Sequence, residues 1–125
     1  MTRVFIHAKK EVAEPLSMIF SMRGHSPIWD ENPRASIRQI INFRPQVVIT
    51  EFLDLDIDGE WLCREIRKIR QLNNTQVIMM SELGKHLSPS DIEAMVLKFG
   101  ANGYLRKPFP YSEIAKYLES WLRGS

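Results

Sequence analysis

Five short apolar runs alternate along the chain with stretches whose apolar residues recur at helical spacing. The runs lie at residues 4–6, 26–29, 47–51, 76–80 and 103–105. The run 47–51 is rich in β-branched residues, which is typical of a strand buried on both faces in a parallel sheet. Strands alternating with helices predict one parallel sheet with right-handed crossovers and helices on both sides, a three-layer α/β sandwich.

The helix boundaries are marked by capping residues. Asn32 and Pro33 predict an N-cap followed by a proline at the first helical position. Ser88 and Asp91 have the spacing of a capping box, and a third helix is predicted from 58 to about 72. The helical residues predicted to face the core are Val12, Leu16, Ile19, Phe20, Ile37, Ile40, Ile41, Leu62, Ile66, Ile69, Ile92, Met95, Val96, Phe99, Ile114, Leu118, Trp121 and Leu122.

Composition places the chain among globular domains. Its 125 residues are 44% apolar and 26% charged, with a net charge of +2, which suits one domain at residues 1–123 with 124–125 as a tail or linker remnant. The basic residues are scattered along the sequence, so we expect no binding of nucleic acid. No apolar run is long enough to span a membrane. Cys63 is the only cysteine, which excludes an internal disulfide and agrees with a cytoplasmic protein.

Three polar side chains follow neighbouring strands. Glu51 ends the third strand, Ser81 the fourth, and Lys107 comes just after the fifth. In a parallel sheet these positions share the carboxyl edge, where functional residues of such folds gather. Pro108 restricts the backbone of Lys107 and helps to direct its side chain. A carboxylate, a hydroxyl and an ammonium at one edge indicate a phosphoryl or anion site.

With these residues the chain resembles the response-regulator receiver domains, the CheY-like family, over essentially its whole length. Lys107-Pro108-Phe109 after residues 100–105 matches the fifth-strand signature of the family, Ser81 its hydroxyl position, and Asp58-Gly59 the turn eight residues beyond the phosphoacceptor. The resemblance implies a flavodoxin-like (βα)5 fold and a role in bacterial two-component signalling and phosphorelay. It also implies signalling proteins or an output domain as partners, and no enzymatic activity of the domain itself.

The departures from the family pattern concern its phosphorylation site. Glu51 stands where the family has the aspartate that accepts phosphate from a histidine kinase. The first strand of the family ends in two acidic residues that hold Mg²⁺, and here the aligned pair is either His7 and Ala8 or Ala8 and Lys9. Leu55 replaces the proline of the family four residues after the acceptor. Because Mg²⁺ prefers carboxylate oxygens, we expect no metal at this cleft.

An ion pair is predicted in place of the metal site. Glu51 reaches one methylene further than aspartate, towards Lys107 and, as a second candidate, Lys9. We therefore expect a pseudo-receiver that keeps the fold, loses phosphorylation and acts as a protein-interaction module. Two alternatives stay open: a working receiver phosphorylated by a histidine kinase through an unusual route, and a Glu51 that is simply solvated at the end of a strand.

A calcium-loop pattern overlaps the same stretch. Asp54, Asp56, Asp58, Gly59 and Glu65 satisfy the spacing of an EF-hand loop, with oxygen ligands at loop positions 1, 3, 5 and 12. An EF-hand requires a helix before the loop, whereas a strand is predicted there, so calcium binding is the less favoured alternative. The histidines are not spaced for a metal site; they are His7, His25 and His86.

A candidate interaction surface follows from the same resemblance. In the family, the face formed by helix 4, strand 5 and helix 5 binds partners or pairs with a second copy. The residues that we assign to this face are Leu97, Lys98, Tyr104, Arg106 and Tyr111. Tyr104 also matches the switch aromatic of the family, which changes rotamer on activation; without phosphorylation it could equally be packed in one state. Tyrosine and arginine are enriched in protein interfaces, so a partner or a homodimer is expected here.

Overall fold

The structure is a computed structural model that describes residues 2–52, 57–81 and 88–123. Five strands form one parallel sheet: β1 (Arg3–His7), β2 (Ser26–Asp30), β3 (Val47–Glu51), β4 (Gln76–Ser81) and β5 (Gly103–Arg106). Five helices connect or follow them: α1 (Lys10–Met22), α2 (Pro33–Phe43), α3 (Gly59–Arg67), α4 (Pro89–Lys98) and α5 (Ile114–Arg123). The strand order β2-β1-β3-β4-β5 confirms the predicted doubly wound α/β fold.

Two apolar clusters cover the two faces of the sheet. On one face α1 and α5 pack against the sheet through residues such as Leu16, Phe20 and Leu118. On the other face α2, α3 and α4 contribute residues such as Ile40 and Ile66. Every residue of β3 is buried, because this strand lies in the middle of the sheet with a helical layer on each side. Of the helices described here, none combines the length and the apolar run needed to cross a bilayer.

Two helix starts confirm the predicted caps. The Asn32 side chain accepts a hydrogen bond from the Ala35 amide at 2.8 Å, with proline at the first position of α2. At the start of α4 the Ser88 hydroxyl accepts from the Asp91 amide, and the Asp91 carboxylate accepts from the Ser88 amide, both at 3.1 Å. These bonds satisfy amide groups that the first turn of a helix leaves without partners.

The structure corrects two of the sequence predictions. The third helix ends at Arg67 instead of near 72, because Ile69 is extended (φ −99°, ψ 112°) and a separate 3-10 turn follows at Arg70–Leu72. Ile41 was expected in the core but is 45% exposed. The buried stripe of α2 runs through Ser36 and Ile40, so Ile41 is rotated out by the period of the helix. Residues 82–87 and the predicted tail 124–125 lie outside the described residues.

A side chain fixes the register between β4 and β5 at the amino edge of the sheet. The backbone amide of Asn102 donates to the Val77 carbonyl at 2.8 Å, and the side-chain oxygen of Asn102 accepts from the backbone amide of Val77 at 2.8 Å. The same oxygen accepts from the Arg67 guanidinium at 2.6 Å, which also donates to the Gly100 carbonyl at 2.7 Å. Helix α3 is therefore tied to the start of the edge strand β5.

Candidate functional site

The carboxyl edge of the sheet brings Glu51 and Lys107 together. Glu51 is the last residue of β3 and is only 5% exposed. One carboxylate oxygen, Oε1, accepts a hydrogen bond from the Lys107 ammonium. The other oxygen, Oε2, accepts from the backbone amide of Lys9 at 3.3 Å. Both oxygens of the buried carboxylate are thus engaged by N–H donors, as a buried charge requires.

Backbone hydrogen bonds hold the two strand ends that carry this pair. The Lys107 amide donates to the Ser81 carbonyl at 2.9 Å, which extends the pairing of β4 and β5 by one residue. The Phe52 amide donates to the Met80 carbonyl at 2.9 Å and does the same for β3 and β4. The peptide bond after Lys107 is a cis bond to proline. The sheet therefore sets the backbone positions from which the two charged side chains extend.

Ser81 lies at the same edge, but its hydroxyl is bonded to a tyrosine. The Tyr104 hydroxyl donates to the Ser81 carbonyl at 3.0 Å, and the two hydroxyl oxygens are 3.1 Å apart. Because the tyrosine hydrogen goes to the carbonyl, the serine is the donor in the second bond. Tyr104 is half-buried, and its hydroxyl points towards β4. The predicted site residue and the predicted switch aromatic thus form one hydrogen-bonded unit.

His7 is a polar residue of this edge whose contacts sequence reasoning missed. It is fully buried at the end of β1. Its Nε2 atom lies 2.6 Å from the Ile57 carbonyl, and its Nδ1 atom lies 3.0 Å from the Ser36 hydroxyl. A carbonyl only accepts, so Nε2 bears the proton and Nδ1 accepts from the serine. Burial lowers the pKa of His7, opposed by its hydrogen bonds and by the nearby carboxylates of Asp30 and Glu51, which favours the neutral imidazole.

The residues after β1 supply no carboxylate to the cleft. Ala8 is fully buried, and Lys9 is the N-cap residue of α1. Two neighbouring acidic residues lie at the end of β2, Asp30 as its last residue and Glu31 just after it, and each accepts from a backbone amide. Glu31 accepts from the Lys10 amide at 2.7 Å and so caps α1, while Asp30 accepts from the amide two residues further on at 2.8 Å.

Comparison with known proteins places the fold. No protein-family model matches the chain. The phosphate regulon transcriptional regulatory protein PhoB of Pseudomonas aeruginosa is 21% identical over 122 residues, which are 98% of this chain and 52% of PhoB, so the chain spans about half of that relative. The solved receiver domain of a histidine kinase from Syntrophus aciditrophicus superimposes with a TM-score of 0.82 at 26% identity, over 99% of this chain and 92% of the other. The chain has the fold of a response-regulator receiver domain.

Another solved receiver domain gives a contrast at the cleft. It belongs to the sensor histidine kinase PA1611 of Pseudomonas aeruginosa and has a magnesium ion coordinated in its active site cleft. It superimposes on this chain with a TM-score of 0.80 at 18% identity, over 98% of both chains. The residues at the corresponding cleft of this chain do not fit that ion. Glu51 has both oxygens bonded to N–H groups, and Ala8 and Lys9 offer no side-chain oxygen, whereas Mg²⁺ demands octahedral oxygen ligands.

The calcium-loop residues are only partly described. Asp54 and Asp56 lie outside the described residues, as does Leu55. Asp58 caps α3, with its carboxylate 3.4 Å from the Trp61 amide, and Glu65 lies within α3, where it pairs with Lys68 at 2.7 Å. The segment before the loop is strand β3 rather than a helix. Over residues 2–52, 57–81 and 88–123, no group of three or more acidic, histidine or cysteine side chains is arranged to hold a metal.

The candidate interaction surface is open at four of its five positions. Leu97 is 57% exposed and Tyr111 39%, and Lys98 and Arg106 are exposed as well. Tyr104 differs from these, because it is half-buried and its hydroxyl is bonded to Ser81. The outer part of this face therefore consists of an aliphatic, an aromatic and two basic side chains.

Proposed function

We propose that this receiver domain is a phosphorylation-independent protein-interaction module of a bacterial two-component signalling system, with no enzymatic activity of its own. The observation that supports this most is the engagement of both oxygens of Glu51, one by the Lys107 ammonium and one by the Lys9 amide. The ion pair between Glu51 and Lys107 occupies the cleft in which phosphorylated receiver domains hold a phosphoryl group and a metal ion. The domain then stays in one conformation and contributes surfaces instead of a switch.

The chemistry of phosphoryl transfer gives the physical reason. An acceptor carboxylate needs an oxygen free to attack phosphorus, and the charge that develops on the phosphoryl oxygens needs a cation to neutralise it. Here the lysine that would stabilise the phosphoryl group already neutralises Glu51. The positions that would supply carboxylate ligands to a magnesium ion are occupied by Ala8 and Lys9, whose side chains contain no carboxylate. We therefore expect Glu51 to be a poor phosphoryl acceptor.

The partner-binding face that we propose is formed by α4, β5 and the segment before α5. Its exposed residues are Leu97, Lys98, Arg106 and Tyr111. The partner is a signalling protein, an output domain or a second copy of this chain. If the face pairs two copies, Leu97→Ala with Tyr111→Ala lowers the mass measured by light scattering from dimer to monomer. Unchanged association of that variant with itself and with its partner removes this face from the proposal.

Phosphorylation is tested by intact mass. The chain is incubated with acetyl phosphate and Mg²⁺, beside a receiver domain that retains an acceptor aspartate as the positive control. We expect the control to gain the mass of a phosphoryl group and this chain to gain none. An adduct on this chain contradicts the proposal, and its loss in Glu51→Gln would show that Glu51 accepts the group.

Metal binding is tested separately. We propose that the domain binds neither Mg²⁺ at Glu51 nor Ca²⁺ at the stretch from Asp54 to Glu65. Calorimetric titration with each ion is expected to show no heat beyond dilution. Saturable heat with Ca²⁺ that is abolished in Asp58→Asn would instead support the calcium module, because an amide is a weaker ligand for a hard cation.

A further inference from the structure

The outer surface of α2 has positive charge without matching acidic residues. This helix and its C-cap residue contain three arginines, Arg34, Arg38 and Arg44, and no aspartate or glutamate. All three side chains are exposed. At about 100° per residue, Arg34, Arg38 and Ile41 project within about 60° of one another. The exposed Ile41 therefore lies on the same face as two of the arginines.

The neighbouring helix α3 continues this surface. The Arg34 guanidinium lies over the ring of Trp61 on α3, 5.6 Å from its centroid. Arg64, also on α3, lies over the ring of Phe99 at 4.8 Å. Both arginines are exposed and Trp61 is half-buried. We call Arg34, Arg38, Ile41, Trp61 and Arg64 the α2–α3 surface.

Arg34 does not stabilise the helix that carries it. Arg34 is at the second position of α2, where a cation opposes the helix dipole at a cost of about 0.3–1 kcal/mol. The first turn of this helix contains no acidic residue that would offset the charge. Within the described part of the chain, none of the salt bridges involves Arg34, Arg38 or Arg64. Their positive charge is therefore available to a partner.

We propose that the α2–α3 surface docks an acidic protein segment that also places an apolar side chain on Ile41. Guanidinium groups bind carboxylates in pairs of parallel hydrogen bonds, and tryptophan and arginine dominate the energetic centres of protein interfaces. Ile41 is 45% exposed, and an apolar contact would remove that area from water. This surface is carried by α2 and α3 rather than by α4 and β5, and it goes beyond the proposed function, since it does not depend on whether Glu51 accepts phosphate.

The aromatic rings argue for a protein partner over a nucleic acid. Single-stranded nucleic acids bind through bases that stack on open aromatic faces. Here a guanidinium already lies over Trp61 and another over Phe99. A nucleic acid would find phosphate contacts alone and would leave Ile41 without an apolar partner. The pairing of charge with an exposed aliphatic side chain fits an acidic amphipathic segment better.

The test is a titration of the isotope-labelled full chain followed by amide chemical shifts. The probe is a synthetic amphipathic peptide in which glutamates flank leucines at helical spacing. One matched peptide has glutamine for each glutamate, and another has serine for each leucine. We expect the first peptide to shift the amides of α2 and α3, and both matched peptides to bind more weakly. Arg38→Glu with Arg64→Glu should raise the dissociation constant by about tenfold or more, equivalent to about 1.4 kcal/mol.

Control variants separate this surface from general charge effects. Arg23→Glu with Lys116→Glu changes the same number of exposed charges elsewhere and should leave the dissociation constant within about twofold, because surface charges beyond a Debye length are screened. Ile41→Ser should weaken binding without changing its salt dependence. If the double arginine variant is not folded, Arg38→Glu alone provides the comparison, since Arg38 stacks on neither ring.

Each other outcome contradicts the proposal. Shifts confined to α1 or to the α4–β5 face would place the site elsewhere, and equal binding of the glutamine peptide would remove the role of charge. No shift at millimolar peptide would show that the surface is not a docking site. Tighter binding of a single-stranded oligonucleotide, or of phosphatidylserine vesicles, at the same salt concentration would assign the surface to a different class of partner.

A phosphoryl adduct at Glu51 would overturn the proposed function but not this inference.

Discussion

Replacement of Lys107 by methionine tests the ion pair at the centre of the cleft. Methionine keeps the apolar stem and removes the charge, which leaves the Glu51 carboxylate 5% exposed and without a counter-ion. Two unit charges about 3.5–4 Å apart attract by about 4–5 kcal/mol at an effective dielectric constant of about 20. Breaking a buried pair on one side costs about 3–5 kcal/mol. The Lys107 side chain is 22% exposed, so water can reach the site and we expect about 3 kcal/mol.

Removal of the charge from Glu51 should lower the free energy of unfolding less than removal of the charge from Lys107. Glu51→Gln keeps the shape of the side chain and an oxygen for the Lys9 amide. The lysine that remains is closer to solvent, so we expect this change to cost about 1 kcal/mol, the usual net value of a hydrogen bond. In the double variant Lys107→Met with Glu51→Gln no charge is left buried. Its stability should therefore exceed that of Lys107→Met alone, with a coupling energy of about 2 kcal/mol.

Urea unfolding measures these differences. The free energies of unfolding are compared at constant m-value, so that a change in midpoint reports stability. A domain of this size has about 5–15 kcal/mol of stability, which leaves the single variant folded. A Lys107→Met protein within about 0.5 kcal/mol of the parent, or a double variant equal to the sum of the two single ones, would show that the pair does not stabilise Glu51.

Three further predictions concern His7, two glycines and Cys63. Burial lowers the pKa of His7 in the folded chain, so the unfolded chain takes up a proton at a higher pH than the folded chain does. The free energy of unfolding should therefore fall as the pH decreases below about 6.5, by up to about 1.4 kcal/mol per pH unit. Urea titrations of His7→Gln should show a weaker dependence of stability on pH. A Cβ at Gly59 would lie 2.0 Å from the Glu51 carbonyl oxygen, whereas one at Gly24, where φ is +84°, would meet nothing within 4 Å. Gly59→Ala should therefore lower the free energy of unfolding by more than about 3 kcal/mol, and Gly24→Ala by only about 1 kcal/mol. Similar decreases in melting temperature for the two variants would contradict this. Burial raises the pKa of Cys63 to about 11, so a thiol reagent near pH 8 should label the native chain far more slowly than the chain in urea, and equal rates would contradict its burial.

The parts of the fold that depend on neighbouring residues were predictable from the sequence. The caps at Asn32 and Ser88 join a side chain to an amide three residues away, and the strand pattern follows from burial on both faces. The strand ends predicted the edge at which Glu51 and Lys107 meet, because parallel strands place their carboxyl ends together. Short-range chemistry and sheet topology were sufficient for these features.

The features that the sequence did not reveal depend on distant partners. His7 bonds to Ser36, 29 residues away, and to Ile57, 50 residues away, and no periodicity indicates such contacts. The exposure of Ile41 follows from the inward position that Ser36 takes beside this histidine. The basic residues are scattered in the sequence, yet α2 and α3 bring several of them to one surface. These outcomes are set by tertiary packing, which overrides local preference.

The Asn102 side chain at the amino edge of the sheet has a consequence for assembly. β5 is the edge strand next to β4, the position from which strands are exchanged between molecules. A copy that donated its last strand to a neighbour would have to give up the bonds from Val77 and Arg67 to Asn102 and form them again across the new interface. A shift by a single residue would also turn Leu105 out of the core. We therefore expect β5 to pair with β4 in this one register, whether the two strands belong to one copy or to two.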